Sequence, residues 1–117
     1  MDIRQFAKDL EQRTKKFAGR IIRLSLKLPN TPEARVIRNQ ITKAGTSIGA
    51  NYREANRARS KADFKNKIAI CESEGSETQY WLEVIAEAEW LSFDEVKYEY
   101  EECSELVAIF TSIGKKK

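Results

Sequence analysis

The 117-residue chain contains no histidine. That removes the imidazole of nucleophilic triads, the Glu-x-x-His ligands of di-iron bundles and the ligands of most zinc sites. Cysteine is limited to Cys71 and Cys103, with no CxxC, so the pair reads as two buried free thiols. Cys71 also has no base in the sequence to activate it as a nucleophile. The two prolines, Pro29 and Pro32, share one short segment and confine any helix break to it. No apolar run approaches the ~20 residues that cross a bilayer. The opening MDIRQFAKDL holds no signal-peptide core, so a cytoplasmic protein is expected. No segment alternates over strand lengths and no Asn-Gly marks a hairpin. Without strands, no P-loop or GxGxxG has its required context. The acidic cluster Glu72, Glu74 and Glu77 has partial ligand spacing but no looped cage, and reads as a solvated helical face. These absences point away from an enzyme: no catalytic residue, cofactor or metal is expected.

What remains is a helical pattern. Apolar content of 41% with 33% charge fits a folded helical protein and excludes disorder. One domain over residues 1–117 is expected, long enough to bury roughly two-thirds of its unfolded surface. Between Asp2 and Leu28, apolar residues fall at Ile3, Phe6, Leu10, Phe17, Ile21, Leu24 and Leu28, steps that predict a first helix. LPN breaks it. Thr31 as N-cap, Pro32 at the first position and Glu33 in the first turn predict a second helix to about Ala58. Its seam takes Ile37, Ile41, Ala44, Ile48 and Ala55, with Asn51 or Tyr52 beside them. Asn51 needs partners there, and either sets helix alignment or bonds a neighbouring backbone.

The stretch Lys43 to Phe64 organises the rest. Its first half is small: Ala44, Gly45, Ser47, Gly49, Ala50. Two interior glycines cost roughly 2 kcal/mol of helix propensity, so a close helix approach is expected to compensate. Gly75, with Ser73 and Ser76, is the expected counterpart on the third helix. Ser60 with Asp63 predicts that helix's N-cap, Phe64 to Ile85 and then Glu89 or Ala88 its seam, and Trp90 or Leu91 its end. Ser92 and Glu95 form a second capping box before Phe93, Val96, Tyr100, Cys103, Val107, Phe110 and Gly114, where Gly114 is expected to end helix four before the lysines Lys115 to Lys117. The fold expected is all-α, an antiparallel up-down four-helix bundle. Leu106, Ile109 and Ile113 make a second stripe on helix four, beyond what a monomer requires. With Tyr80, Trp81, Trp90 and Tyr98 it predicts a subunit interface.

Charge is divided along the chain. Residues 1–67 carry 17 Lys/Arg against 6 Asp/Glu, and residues 68–114 carry 1 against 12. Such a split steers association with a polyanion, an acidic partner or another copy. Docking of basic on acidic half is heterologous and closes into a ring-like homo-oligomer if the rotation allows. The sharpest cluster is Arg53, Arg57, Arg59, Lys61, Lys65 and Lys67, with only Glu54 and Asp63 nearby. It reads as a solvated face, as a phosphate-contacting surface on which Tyr52 could stack a base, or as the docking site for a neighbour's acids.

TSIGANYREANRARSKADFKNKIAI followed by SETQYWLEVI resembles the four-helix-bundle family of 23S rRNA intervening-sequence proteins. The matching positions are Ser47, Ile48 and Asn51; Arg57, Arg59, Ser60, Lys61 and Phe64; and Glu77, Thr78, Tyr80, Trp81, Leu82 and Glu83. Ala55 stands where many members have glycine. The resemblance implies an antiparallel bundle assembling as a homopentamer, with some members encoded inside ribosomal RNA genes. It also implies kinship with the accessory proteins of diversity-generating retroelements, which work with a reverse transcriptase and nucleic acid. RNA is then the expected partner, and a protein-docking scaffold the alternative; no membrane partner is expected.

Overall fold

The computed structural model describes residues 2–116. Four helices follow one another: α1 (Ile3–Ser25), α2 (Pro32–Ala55), α3 (Lys61–Glu87) and α4 (Phe93–Gly114). Each begins where a short polar side chain takes an orphan amide. Asp2 accepts from the Gln5 N–H, Thr31 from Ala34, Ser60 from Asp63 and Ser92 from Glu95. Only Ser92 completes the reciprocal box, its own N–H donating to the Glu95 carboxylate at 2.9 Å. Those hydrogen bonds hold the Glu95 carboxyl below its ordinary pKa.

Each helix packs on two neighbours, α1 on α2 and α4, α3 on α2 and α4. Contacting pairs run in opposite order along every seam. Gly45 and Gly49 meet Ile21 and Thr14, and Glu54 reaches Lys67 while Ile48 meets Cys71. Glu72, Gln79 and Glu83 bond Thr111, Ser104 and Tyr100, and Arg13 and Arg20 meet Glu102 and Tyr98. All four pairs are therefore antiparallel. The core is a column of fully buried side chains, among them Phe17, Ile21, Ile41, Ile48, Ile68, Leu82, Ile85, Leu106 and Phe110. Each contributes about 1.5–3 kcal/mol by leaving water. Thr14 and Thr78 are buried among them without penalty, because each hydroxyl donates to a carbonyl one turn back, Leu10 and Glu74.

The glycines are seated differently from expectation. Gly45 and Gly49 of α2 do not face α3; they face α1. A Cβ on Gly45 would lie 2.8 Å from Ile21 Cγ2, and one on Gly49 would lie 3.0 Å from Thr14 Oγ1. Gly75 faces α4, where a Cβ would fall 2.6 Å from Val107 Cγ2. The Cys103 thiol donates to the Gly75 carbonyl at 3.1 Å. Slender surfaces thus tighten α1 on α2 and α3 on α4. The α2–α3 seam between them is built from Ile48, Cys71 and their neighbours.

Other expectations are corrected at the helix ends. Phe93 is 65% exposed rather than the first core residue of α4. Ile3 and Phe6 lie on the α1 seam but project past the core, 88% and 41% exposed. Leu106 belongs to the monomer's own core, and Ile109 and Ile113 pack against it, so the second stripe of α4 is largely consumed within one subunit. Asn51 bonds its own helix, donating to the Ser47 carbonyl at 2.8 Å. Helix α3 stops at Glu87, earlier than Trp90, because Glu89 turns left-handed at φ 61°. The Trp90 and Glu89 amides then close on the Ile85 and Ala86 carbonyls at 3.2 and 3.0 Å. Gly114 is the last residue of α4 and does not terminate it by a left-handed turn; the cap is Lys115, and Lys117 lies outside the described residues. Arg38 does what the sequence pattern did not signal. Its guanidinium donates to the carbonyls of Ser25, Leu28 and Pro29 at 3.0–3.1 Å, capping α1 from the side of α2.

Two outcomes follow for stability. Gly19→Ala meets nothing nearer than Arg23 Nη1 at 3.6 Å and should stabilise by about 0.5–1 kcal/mol. Gly45→Ala should instead destabilise by about 1–3 kcal/mol, since stiff, buried Ile21 must move; urea titrations followed by circular dichroism check both. Arg38→Ala should cost about 1–3 kcal/mol by stripping a donor from three carbonyls, of which Ser25's alone keeps another, the Leu28 N–H. Arg38→Lys should recover only part of the lost melting temperature, because an ammonium cannot serve them as a planar fork.

Candidate nucleic-acid interface

The charge split along the sequence becomes a split across the molecule. Residues 1–67 make α1, α2 and the first turns of α3; the acids ride on the rest of α3 and on α4. At the α1–α4 seam the two signs meet. Arg13 donates through Nε and Nη2 to both oxygens of Glu102 at 2.7 and 2.8 Å, and through Nη2 to Glu105 at 2.7 Å. These bonds hold its pKa above the usual guanidinium value. Arg20 lies 4.8 Å over the ring of Tyr98.

Away from that seam most cations lack a carboxylate. Among the described residues, the remaining ion pairs are Lys67–Glu54 at 3.0 Å and the looser Arg53–Glu11 at 4.0 Å. On α1, Lys15, Lys16, Arg20 and Arg23 surround a shallow basin of about 450 Å³ whose floor is left bare by Gly19. No carboxylate lines it.

The second basic feature sits at the end of the bundle where α1 begins and α2 and α4 finish. Ser60 caps α3 and turns the corner so that Arg59, Lys61 and Lys65 stand around one opening, joined by Lys116. Behind them is a cleft of about 570 Å³ walled by Phe6, Tyr52, Phe64 and Ile113. Four of the six nucleic-acid residues expected from sequence therefore come together: Tyr52, Arg59, Lys61 and Lys65. Arg57 is exposed on the corner but outside the cleft. Arg53 points to the α1–α2 groove near Glu11, whose carboxylate also accepts from Asn56 at 2.9 Å. Tyr52 corrects the stacking expectation. It is 2% exposed, its ring tilted against Phe110 at 5.5 Å, and burial raises its phenol pKa. Its face is not open to a base. The residues that sequence reasoning missed, Phe6 and Lys116 above all, come from chain ends whose meeting only the topology reveals. The available signal was a seam that starts a turn before the core does.

On the acidic pair, Tyr80 and Tyr98 are more than half exposed, whereas Trp81 and Trp90 pack against the core. Trp81 donates its indole N–H to Glu77 at 3.1 Å and meets Tyr80 edge-on at 5.0 Å. Glu74 has its carboxyl pKa raised by burial and by Glu77. Both thiols are buried, and desolvation pushes Cys71 and Cys103 up to about 12.

A family model described as 23S rRNA-intervening sequence protein matches residues 8–112, nine-tenths of the chain. The chain belongs to that family. A crystal structure of a protein of unknown function from the S23 ribosomal protein family of Bacteroides thetaiotaomicron VPI-5482 is also similar, at 38% identity and a TM-score of 0.85. The alignment covers 91% of this chain and 98% of that one. No curated protein matches the chain. The family assignment agrees with the resemblance carried by Ser47, Asn51, Arg57 and Trp81, and the four-helix architecture agrees with it too. No helix among the described residues is long and apolar enough to cross a membrane.

The buried thiols give a direct check. At pH 8 neither Cys71 nor Cys103 should react with an aromatic disulfide reagent in the folded protein, and both should titrate at once in guanidinium. Rapid reaction of one thiol without denaturant would show an open, activated site instead.

Proposed function

We propose that this protein is a non-catalytic, oligomeric four-helix bundle of the cytoplasm that associates with RNA through the basic surface of α1, α2 and the α2–α3 corner. The observation that carries the reading is the segregation of unpaired cations. Lys15, Lys16, Arg20 and Arg23 ring one basin, and Arg57, Arg59, Lys61 and Lys65 crowd the corner, none bonded to a carboxylate. Cations that only solubilised the surface would be interspersed with acids; a one-sided array favours a polyanion. The family's description, which ties it to intervening sequences of 23S rRNA, makes RNA the polyanion of choice. Phosphate contacts of this kind fix position and orientation, not base sequence.

The acidic α3–α4 pair favours a second reading for that side. Exposed Tyr80 and Tyr98 among carboxylates, with Trp81 and Trp90 beneath the surface, suit a subunit contact in a pentameric ring or a docking face for a protein partner.

Filter binding across a salt series tests the main reading. For about five phosphates neutralised on single-stranded RNA, log K should fall with log salt at a slope of about −3.5, or roughly 100-fold between about 50 and 200 mM. Arg20→Glu with Arg23→Glu should weaken binding at least tenfold while circular dichroism stays unchanged. Affinity indifferent to salt, or none at low salt, would remove RNA from the reading.

A further inference from the structure

The end cleft differs in kind from the basin on α1. The basin is a patch of cations alone, and phosphates suffice to occupy it. The cleft combines cations with apolar wall: Phe6 and Phe64 are only partly covered, and Arg59, Lys61 and Lys65 stand exposed at its mouth. No Asp or Glu lines it. Water is a poor occupant of the wall, and a bare phosphate uses only the rim. The occupant that satisfies both has a flat apolar face and negative charge on either side of it. Base-paired RNA does not qualify, because its bases are stacked within the helix and only the backbone reaches the surface. A long-chain carboxylate brings one charge to a rim of several cations. An unpaired nucleotide qualifies: every base has a π-face, and phosphates flank it in both directions.

We propose that this cleft receives the base of an unpaired nucleotide, stacked on Phe6 and against Phe64, with its neighbouring phosphates on Arg59, Lys61 and Lys65. The inference rests on the RNA reading and narrows it to single strands or looped-out residues. Tyr52 takes no part in the stack. Held against Phe110, it fixes the back of the cleft at a constant depth. Phe6 is the exposed wall, one turn into α1, where the Asp2 cap keeps the backbone helical. Recognition of this type tolerates any base, since shape and π-surface are read rather than hydrogen-bonding edges.

The test uses the full chain and a short RNA carrying 2-aminopurine at its centre, presented single-stranded or annealed to its complement. Wild type should prefer the single strand by about tenfold or more and quench the analogue on binding. Phe6→Ala should abolish the quench and lower single-strand affinity about 5- to 150-fold, the range expected for one lost stack, with duplex affinity unchanged. Phe6→Leu, which keeps the apolar bulk, should lose the quench as well, so a fold defect is not the cause. Equal binding of both RNAs without quenching overturns the cleft assignment and leaves the RNA reading standing. No binding of either RNA at low salt overturns both. If Phe6→Ala changes the mass seen by light scattering but not RNA affinity, the cleft holds another copy of the chain, and the nucleotide assignment falls.

Discussion

Notches cut by glycine for a neighbouring helix's side chain are the constraint from which the molecule follows. Gly45 and Gly49 let α1 settle onto α2 against Ile21 and Thr14, and Gly75 lets α4 settle its Val107 onto α3. Each contact gives up helix propensity and recovers dispersion and burial in the packed seam. The result is two glycine-notched pairs joined face to face by the most extensive seam of the bundle, α2 on α3, where Ile48 meets Cys71. Because the pairs are consecutive in sequence, whatever distinguishes the halves of the chain also distinguishes the halves of the fold.

Charge is what distinguishes them. The two consecutive pairs inherit opposite signs, and the molecule carries a transverse electrical asymmetry that an interleaved topology would have cancelled. The signs touch where α1 lies along α4, and there they are bonded through Arg13, Glu102 and Glu105. A partly buried, bidentate pair of this kind ties one seam, while the exposed cations elsewhere keep their charge available. Structure and binding surface therefore draw largely on different members of one set of residues: Arg13, Arg38 and Lys67 are engaged internally, and Arg20 serves both, resting on Tyr98 at the edge of the basin.

What the sequence disclosed divides by range. Caps were legible at Thr31, Ser60 and Ser92, since each depends on one hydrogen bond three residues away. So were the seams through Ile21, Ile48, Ile68 and Phe110, which follow from helical period alone. Partner choice was not. Two glycines four apart announce a slim face without saying which helix fills it, and α1, not the expected α3, fills the face of Gly45. Arg38 looked like one more surface cation, because its three carbonyls lie 9 to 13 residues back. Glu89 gave no sign of its left-handed turn, a conformation imposed by closure of the α3 terminus around Trp90. At the candidate site, the cationic rim was visible as a cluster. Its wall is not visible there, because Phe6 and Ile113 are far apart in the chain, and the chemistry of Tyr52 suggests a stacking face without disclosing its burial.

The topology brings Asp2 and Lys116 to the same end of the bundle, where both border one shallow depression with Phe6 and Ile113. Three of the four antiparallel seams already have a covalent connection across one end; α1 and α4 have none. A short bridging peptide from Lys116 to Asp2 would supply it without crossing the core, and the backbone would become a closed loop of four helical hairpins. A circularised or permuted chain opened at Asn30 would keep every helix pair intact, so chain order is incidental to this architecture and adjacency in space is what it requires.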